Sequence, residues 1–258
     1  MRKYIEDLWR RKDLIFYLVT SDLKAENRNT FLGYLWWLLD PFLNVLVYYF
    51  LVVIIMQRGS SDYPSFLVIG MVVFRYFSAS CLYSSMAIVN KAGIITQVYL
   101  PKAIFSFGTT ISQTINFLFG LVIVEIFLLC NHVLPSIHII YLPIVLIVQL
   151  LFQLAIALFL SYICVFIRDF KNVVNHLVAL MHFVAPVIWE ISFLPEKFQW
   201  VLKFNPLAWI LQAYRDVLMY HQLPDFKLLL LLAAISVTAI LGLFKFYSDN
   251  EHKIIKVL

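Results

Sequence analysis

Charge is scarce in this chain. Only 14% of its 258 residues are Asp, Glu, Lys or Arg, where an average soluble domain carries about 25%. With 62% hydrophobic residues and a mean hydropathy of +0.87, there is too little polar surface to cover a core in water. That excludes an ordinary cytosolic enzyme and a disordered protein. The three cysteines (Cys81, Cys130, Cys164) are few and far apart, which excludes a disulfide framework and a CxxC metal site. Glycine is also sparse. None of the seven precedes Lys-Ser or Lys-Thr, so GxxxxGK[ST], the phosphate-cradling loop, is absent and any ATP must be held by another chain. His176 and His182 lie six apart without an acidic cluster, off the i, i+4 spacing of a helical metal pair. They read as packed or pore-lining residues. No Ser/His/Asp or Cys/His constellation can be assembled, so the chain is expected to be no enzyme and to hold no cofactor or metal.

What remains is long apolar runs. A hydrocarbon core about 30 Å thick needs about 20 helical residues. Six runs qualify: Tyr34–Met56, Phe66–Val89, Ile104–Cys130, Ile139–Ile167, Val173–Phe193 and Phe226–Phe246. The expected fold is an all-α membrane protein with six transmembrane helices in one domain. Residues 1–33 form a cytoplasmic amphipathic region, 34–193 hold spans one to five, 194–225 lie between spans, 226–246 form span six and 247–258 a tail.

The opening MRKYIEDLWRRKD has charge where a signal peptide needs an apolar run. Tyr4, Ile5, Leu8, Trp9, Ile15 and Phe16 recur near helical spacing among charged residues. This predicts an amphipathic helix lying at the membrane interface or packed on a partner. With six spans, fourteen of the twenty lysines and arginines fall on the side of the termini, so the positive-inside rule places both termini in the cytoplasm. The net charge of +5 is then topological and not a nucleic-acid footprint. Glu196–Gln222, broken by Pro206, is too polar to span and too apolar for a free loop; a re-entrant hairpin on the outer face is expected.

Charge inside spans is costly and usually purposeful. Asp40, Arg75 and Glu125 are such residues, and Arg75 and Glu125 either pair or separately face a polar cavity. In residues 21–41, SDLKAENRNTFLGYLWWLLDP, Lys24 and Arg28 share a helical face, and Leu32-Gly33 permits a tight turn before Trp36 and Trp37. The segment is either a positively charged anchor with an aromatic belt or an access point for an anionic lipid headgroup, with Lys24, Arg28, Leu32, Gly33 and Trp36 as contacts. In NKAGIITQVYLPKA, residues 90–103, Lys91, Ile94, Ile95, Val98 and Tyr99 sit in a short cytoplasmic link. Its apolar side chains dock on a partner protein or lie on lipid.

Several short motifs recur in order along these spans: Asp22-x-Lys24, Thr30-x-Leu32-Gly33-x-x-Trp36 and Pro41; Gly70 and Phe77-Ser78; Arg168-Asp169; Pro186; Leu194-Pro195, Asn205-Pro206-Leu207 and Arg215. Along its whole length the chain resembles the permease subunit of type-2 ABC exporters of lipid-linked polysaccharides (O-antigen, capsule, teichoic acid). It departs from that pattern at Glu26-Asn27 and Val73-Phe74. The resemblance implies a homodimer in the bacterial cytoplasmic (inner) membrane, bound to two copies of an ABC ATPase that holds ATP and Mg. It implies a polysaccharide channel on the dimer axis lined by spans one and five; since aromatic faces suit the C–H faces of sugar rings, Trp36, Tyr48, Phe183 and Trp189 are the candidate lining residues. It also implies an outer gate at Phe204, Asn205, Pro206 and Arg215, and coupling to the ATPase through Lys91 to Tyr99 and through Arg168 and Asp169. Alternatives are an ATP-independent secondary transporter or channel, or an ABC permease for a small lipid or drug.

Overall fold

In a computed structural model, residues 2–26, 33–55, 57, 62–97, 100–198 and 200–258 are described. Among them every regular element is helical. In chain order these are α1 (Arg2–Arg10), α2 (Lys12–Glu26), α3 (Trp36–Tyr49, continued by π-helical turns over Phe50–Ile55), α4 (Tyr63–Ser85), α5 (Ala92–Ile95) and α6 (Ala103–Cys130). They are followed by α7 (Leu142–Phe166), α8 (Phe170–Val184), α9 (Trp200–Lys203), α10 (Pro206–Leu218) and α11 (Phe226–Val257). Four helical segments among the described residues are long and apolar enough to cross a bilayer: α4, α6, α7 with its lead-in from Ile137, and α11. The chain is a multi-pass membrane protein. Phe42–Ile55 is a fifth, shorter apolar segment.

Helix ends follow local chemistry. Pro64, Pro143 and Pro206 occupy the first turns of α4, α7 and α10, where a missing N–H breaks no helical bond. Asp225 caps α11 by accepting from Lys227 N and Leu228 N. The polar run in α6 stays helical in an apolar setting because Thr110, Ser112 and Thr114 each donate to the carbonyl four residues back. These three hydroxyls need nothing from lipid.

α4 is the centre of the bundle. Its most apolar stretch is 78% buried, whereas that of α11 is 22% buried. Small residues let neighbours approach it closely; a methyl group at Gly120 of α6 would stand 2.9 Å from Val72. One apolar cluster gathers α3, α6, α7, α8 and α10 around α4. A second lies at the other end of the bundle, called here the basal end. It joins Tyr4 and Leu8 of α1, Leu18 of α2, Ile88 and Ile95 of the link before α6, and Ile240, Phe244 and Ile254 of α11.

Three expectations are corrected. The single N-terminal helix is two, and α1 turns Tyr4 and Leu8 inward onto the chain's own bundle. Phe16 and Tyr17 of α2 stay exposed. Ile95 is not available for docking: it is 3% exposed within the basal cluster, while Ile94 is exposed. Span five is not one helix over Val173–Phe193. α8 ends at Val184, and Ala185 is extended at φ −80°, ψ 148°, because Pro186 disfavours helical geometry in the residue before it. The 15 residues of α8 cover only about 22 Å at about 1.5 Å each.

Candidate functional site

The break after α8 is an irregular segment held by side chains from distant helices. Irregular backbone among apolar helices leaves carbonyls without donors, and here side chains from three directions supply them. Arg215 of α10 donates through Nη1 to Pro186 O at 2.7 Å and through Nη2 to Val187 O at 3.2 Å and Phe66 O at 3.3 Å. Tyr63 of α4 donates to Ile188 O at 2.7 Å. The Trp189 indole donates back to Phe183 O at 2.8 Å. The Arg215 guanidinium also lies 3.4 Å from the centre of the Phe66 ring, a cation–π contact strengthened by exclusion of water. Arg215 is 1% exposed. It was expected at an outer gate, but its side chain fastens α10 to α4 and to the broken span.

Gly70 makes this fit possible. A Cβ there would stand 2.6 Å from both Arg215 Nη2 and Val187 O, closer than any real contact, so only glycine admits the guanidinium and the broken backbone together. Next to Arg215, burial raises the Asp216 carboxyl above its ordinary range, against the Gln212 amide that donates to it at 2.8 Å.

Beside the break, α3 and α8 meet. Tyr48 and His182 share a hydrogen bond, Oη to Nε2, at 3.0 Å, and Phe74 of α4 packs edge-on against the imidazole, 4.7 Å between centroids. Beyond this contact both helices turn apolar side chains outward: Leu46, Val47 and Phe50 on α3, and Leu177, Leu180 and Phe183 on α8 are exposed. Phe183 and Trp189 open onto an apolar cavity of about 470 Å³ with Phe193, Leu194, Phe198 and Leu202. Three of the expected lining aromatics thus fall near the α3–α8 junction: Tyr48 half-buried in it, Phe183 exposed, and Trp189 half-buried. Trp36 is exposed at the start of α3 and makes no described contact with them.

The expected gate residues divide in two. Phe204 is 76% exposed. Asn205 is buried, and its side chain caps α10 by accepting from Leu207 N at 3.0 Å, with Pro206 in the first turn. Loss of this cap is measurable: Asn205→Ala is expected to destabilise the protein by about 1 kcal/mol in thermal unfolding, and Asn205→Asp to restore most of it.

At the basal end, Lys24 is exposed in the last turn of α2. Arg28 and Leu32 lie outside the described residues, and Gly33 takes φ +49°, the left-handed geometry its position before α3 requires. Lys91 pairs with Asp22 at 3.1 Å and ties the link to α2. Val98 and Tyr99 lie outside the described residues. Arg168 and Asp169 are exposed in the turn between α7 and α8. Ion pairs among the described residues include Lys91–Asp22 and Lys102–Glu251. Arg75 and Glu125 do not form one; Glu125 is within electrostatic reach of His221.

Sequence reasoning did not foresee the Lys102–Glu251 pair, the Tyr63 bond or the junction of Tyr48 with His182. Each joins residues more than a hundred positions apart, so no local pattern signals it. Gly70 stood among the motifs without a reason for being glycine.

These features define a polytopic membrane protein. The chain belongs to the ABC-2 type transporter family, whose pattern matches residues 13–219. It is 30% identical over 239 residues to an O-antigen export system permease protein, RfbA, of Myxococcus xanthus, covering 92% of each chain. It is 27% identical over 208 residues to the RfbA protein of Klebsiella pneumoniae, covering 80% of each.

Proposed function

We propose that this chain is the permease subunit of an ABC exporter that moves a polyprenyl-diphosphate-linked cell-surface polysaccharide across the bacterial cytoplasmic membrane. The likeness over nine-tenths of both chains to an O-antigen export permease carries this reading. The six crossings are α3 with its π-helical turns, α4, α6, α7, α8 with the extended chain after it, and α11. α3 and its continuation hold 20 residues, about 30 Å. For α8, an extended residue adds about 3.3 Å, so the chain from Ala185 to Glu190 makes up what the short helix lacks. Both termini are cytoplasmic, which places the basal end inside and the stitched break in the outer half.

Two copies of the chain form the conduit, with the exposed faces of α3 and α8 toward the shared axis. Apolar and aromatic walls suit a sugar polymer, whose C–H faces slide over π faces without a fixed hydrogen-bond register. α10, held by Arg215, forms the re-entrant gate with Phe204 at its edge. A separate ATPase dimer binds ATP and Mg and pushes on the link around Ile94 and on the Arg168-Asp169 turn. The lipid-linked headgroup is admitted near Lys24 and Trp36.

A strain carrying the permease with an ATPase whose phosphate-cradling lysine is replaced should lose surface glycan while lipid-linked precursor accumulates inside, measured by glycan blotting of surface and inner-membrane fractions. Surface glycan at wild-type levels in that strain, or transport by the purified permease alone in vesicles, would sink the reading.

A further inference from the structure

A second cavity, at the basal end, is of different character. It measures about 360 Å³, lies between α2, the end of α4 and α6, and has nearly equal polar and apolar lining. Its walls come from two regular stripes. On α2, Leu18, Asp22 and Ala25 recur at i, i+4 and i+7; on α6, Phe105, Thr109, Ser112 and Gln113 share one face. Gly108 of α6 faces Leu18 of α2, and a methyl group there would sit 3.4 Å from its Cβ, at the edge of ordinary contact. The rim is made by Tyr83, Asn90 and Lys91.

The chemistry of the walls narrows the ligand. Lys91 and Asp22 cancel each other at 3.1 Å, so the cavity offers no net charge to an anion. Gln113 is 7% exposed, lines the cavity, and makes no hydrogen bond with a described residue, unlike the α6 hydroxyls that bond back to their own helix. An amide on the wall of such a space has hydrogen-bonding capacity that only water or a ligand in that space can meet. Thr109 and Asn90 add further donors and acceptors beside it, and Phe105 and Tyr83 add ring surface. An acyl chain would leave these polar groups unmet. The space is far larger than the about 30 Å³ share of one water, and lies near the lower end of small-ligand pockets, about 300–1,000 Å³.

We infer that this cavity is a binding site for a neutral pyranose, one or two sugar rings long, with Gln113, Asn90 and Thr109 bonding ring hydroxyls and Phe105 and Tyr83 covering a C–H face. The assignment rests on the proposed transport of glycan and adds a site that reads sugar away from the α3–α8 surface. Because Asn90 and Lys91 open the link proposed to meet the ATPase, a sugar held here touches the coupling element directly.

The test is saturation-transfer NMR on the full-length permease in lipid nanodiscs, with methyl glycosides of glucose, galactose, mannose and N-acetylglucosamine as probes and glycerol and pyrophosphate as controls. Saturation transfer to at least one glycoside is expected, with binding weakened about tenfold in Gln113→Leu and also reduced in Asn90→Ala, an exposed rim position whose variant keeps the wild-type melting temperature. Transfer to none of the glycosides, transfer undiminished in both variants, or displacement of the glycoside by pyrophosphate would overturn the inference. An ATPase-bound complex that exports glycan while no glycoside binds would remove the sugar site and leave the transport reading standing. Glycoside binding through Gln113 in a complex that moves no glycan would do the reverse.

Discussion

Replacing Arg215 with alanine is expected to destabilise the protein by about 3–5 kcal/mol, the larger end of single-substitution effects. Two backbone carbonyls of the break, of Pro186 and Val187, lose their side-chain donor at once, and the helical carbonyl of Phe66 loses a second one; buried acceptors without partners each cost about 1–3 kcal/mol. Arg215→Lys should recover less than half. A lysine keeps the charge but not the planar fork that reaches both sides of the broken span. Gly70→Ala attacks the same site from the opposite side, because its methyl group would overlap Val187 O and the guanidinium; overpacking of this kind costs about 1–3 kcal/mol. The two substitutions share one contact, so their effects should be non-additive by about 1 kcal/mol or more in a double-mutant cycle of thermal unfolding. Strict additivity, or an Arg215→Ala protein that unfolds like the wild type, would show that Arg215 does not hold the break.

Glu251→Leu is the second large effect expected, again about 3–5 kcal/mol, because it removes the carboxylate that faces a buried ammonium. Lys102 is 0% exposed, its Nζ lies 3.4 Å from Glu251 Oε1, and that same oxygen accepts from Lys102 N at 2.9 Å. Glu251→Gln, which keeps an acceptor for the backbone N–H, should fall between. The double change Lys102→Met with Glu251→Leu should regain most of the loss, since an apolar pair of similar volume can replace a buried ion pair at little cost. The same series read by limited trypsin digestion should show faster cleavage at Lys253 and Lys256 in Glu251→Leu alone. If the single substitution changes neither unfolding nor digestion, the tail is not held by this pair.

Both predictions concern contacts that composition and periodicity do not reach, whereas the helices themselves were largely readable. α6, α7 and α11 begin or end within a few residues of the apolar runs, because a membrane helix needs length and apolarity and both are local properties. Span five was misread for the same reason. Hydropathy averages over Ile188, Trp189 and Phe193 as though the backbone were continuous, and does not register that Pro186 turns Ala185 out of the helix. Ile95 was misread from the other side. An apolar residue in a polar link looks like a docking surface until the ends of neighbouring helices are known to cover it.

By itself the sequence determined that this protein lives in a bilayer, that its segments are helices, where most of them start and stop, and that a nucleotide-cradling loop is missing. These follow from solvent exclusion and chain geometry over about 20 residues at a time. Only the tertiary structure decided which buried charges and carbonyls meet: Arg215 with the broken span, Lys102 with Glu251, Tyr48 with His182, and Gln113 with an open cavity. In an apolar interior each polar group must find a partner wherever the chain brings one, and sequence distance has no bearing on that search.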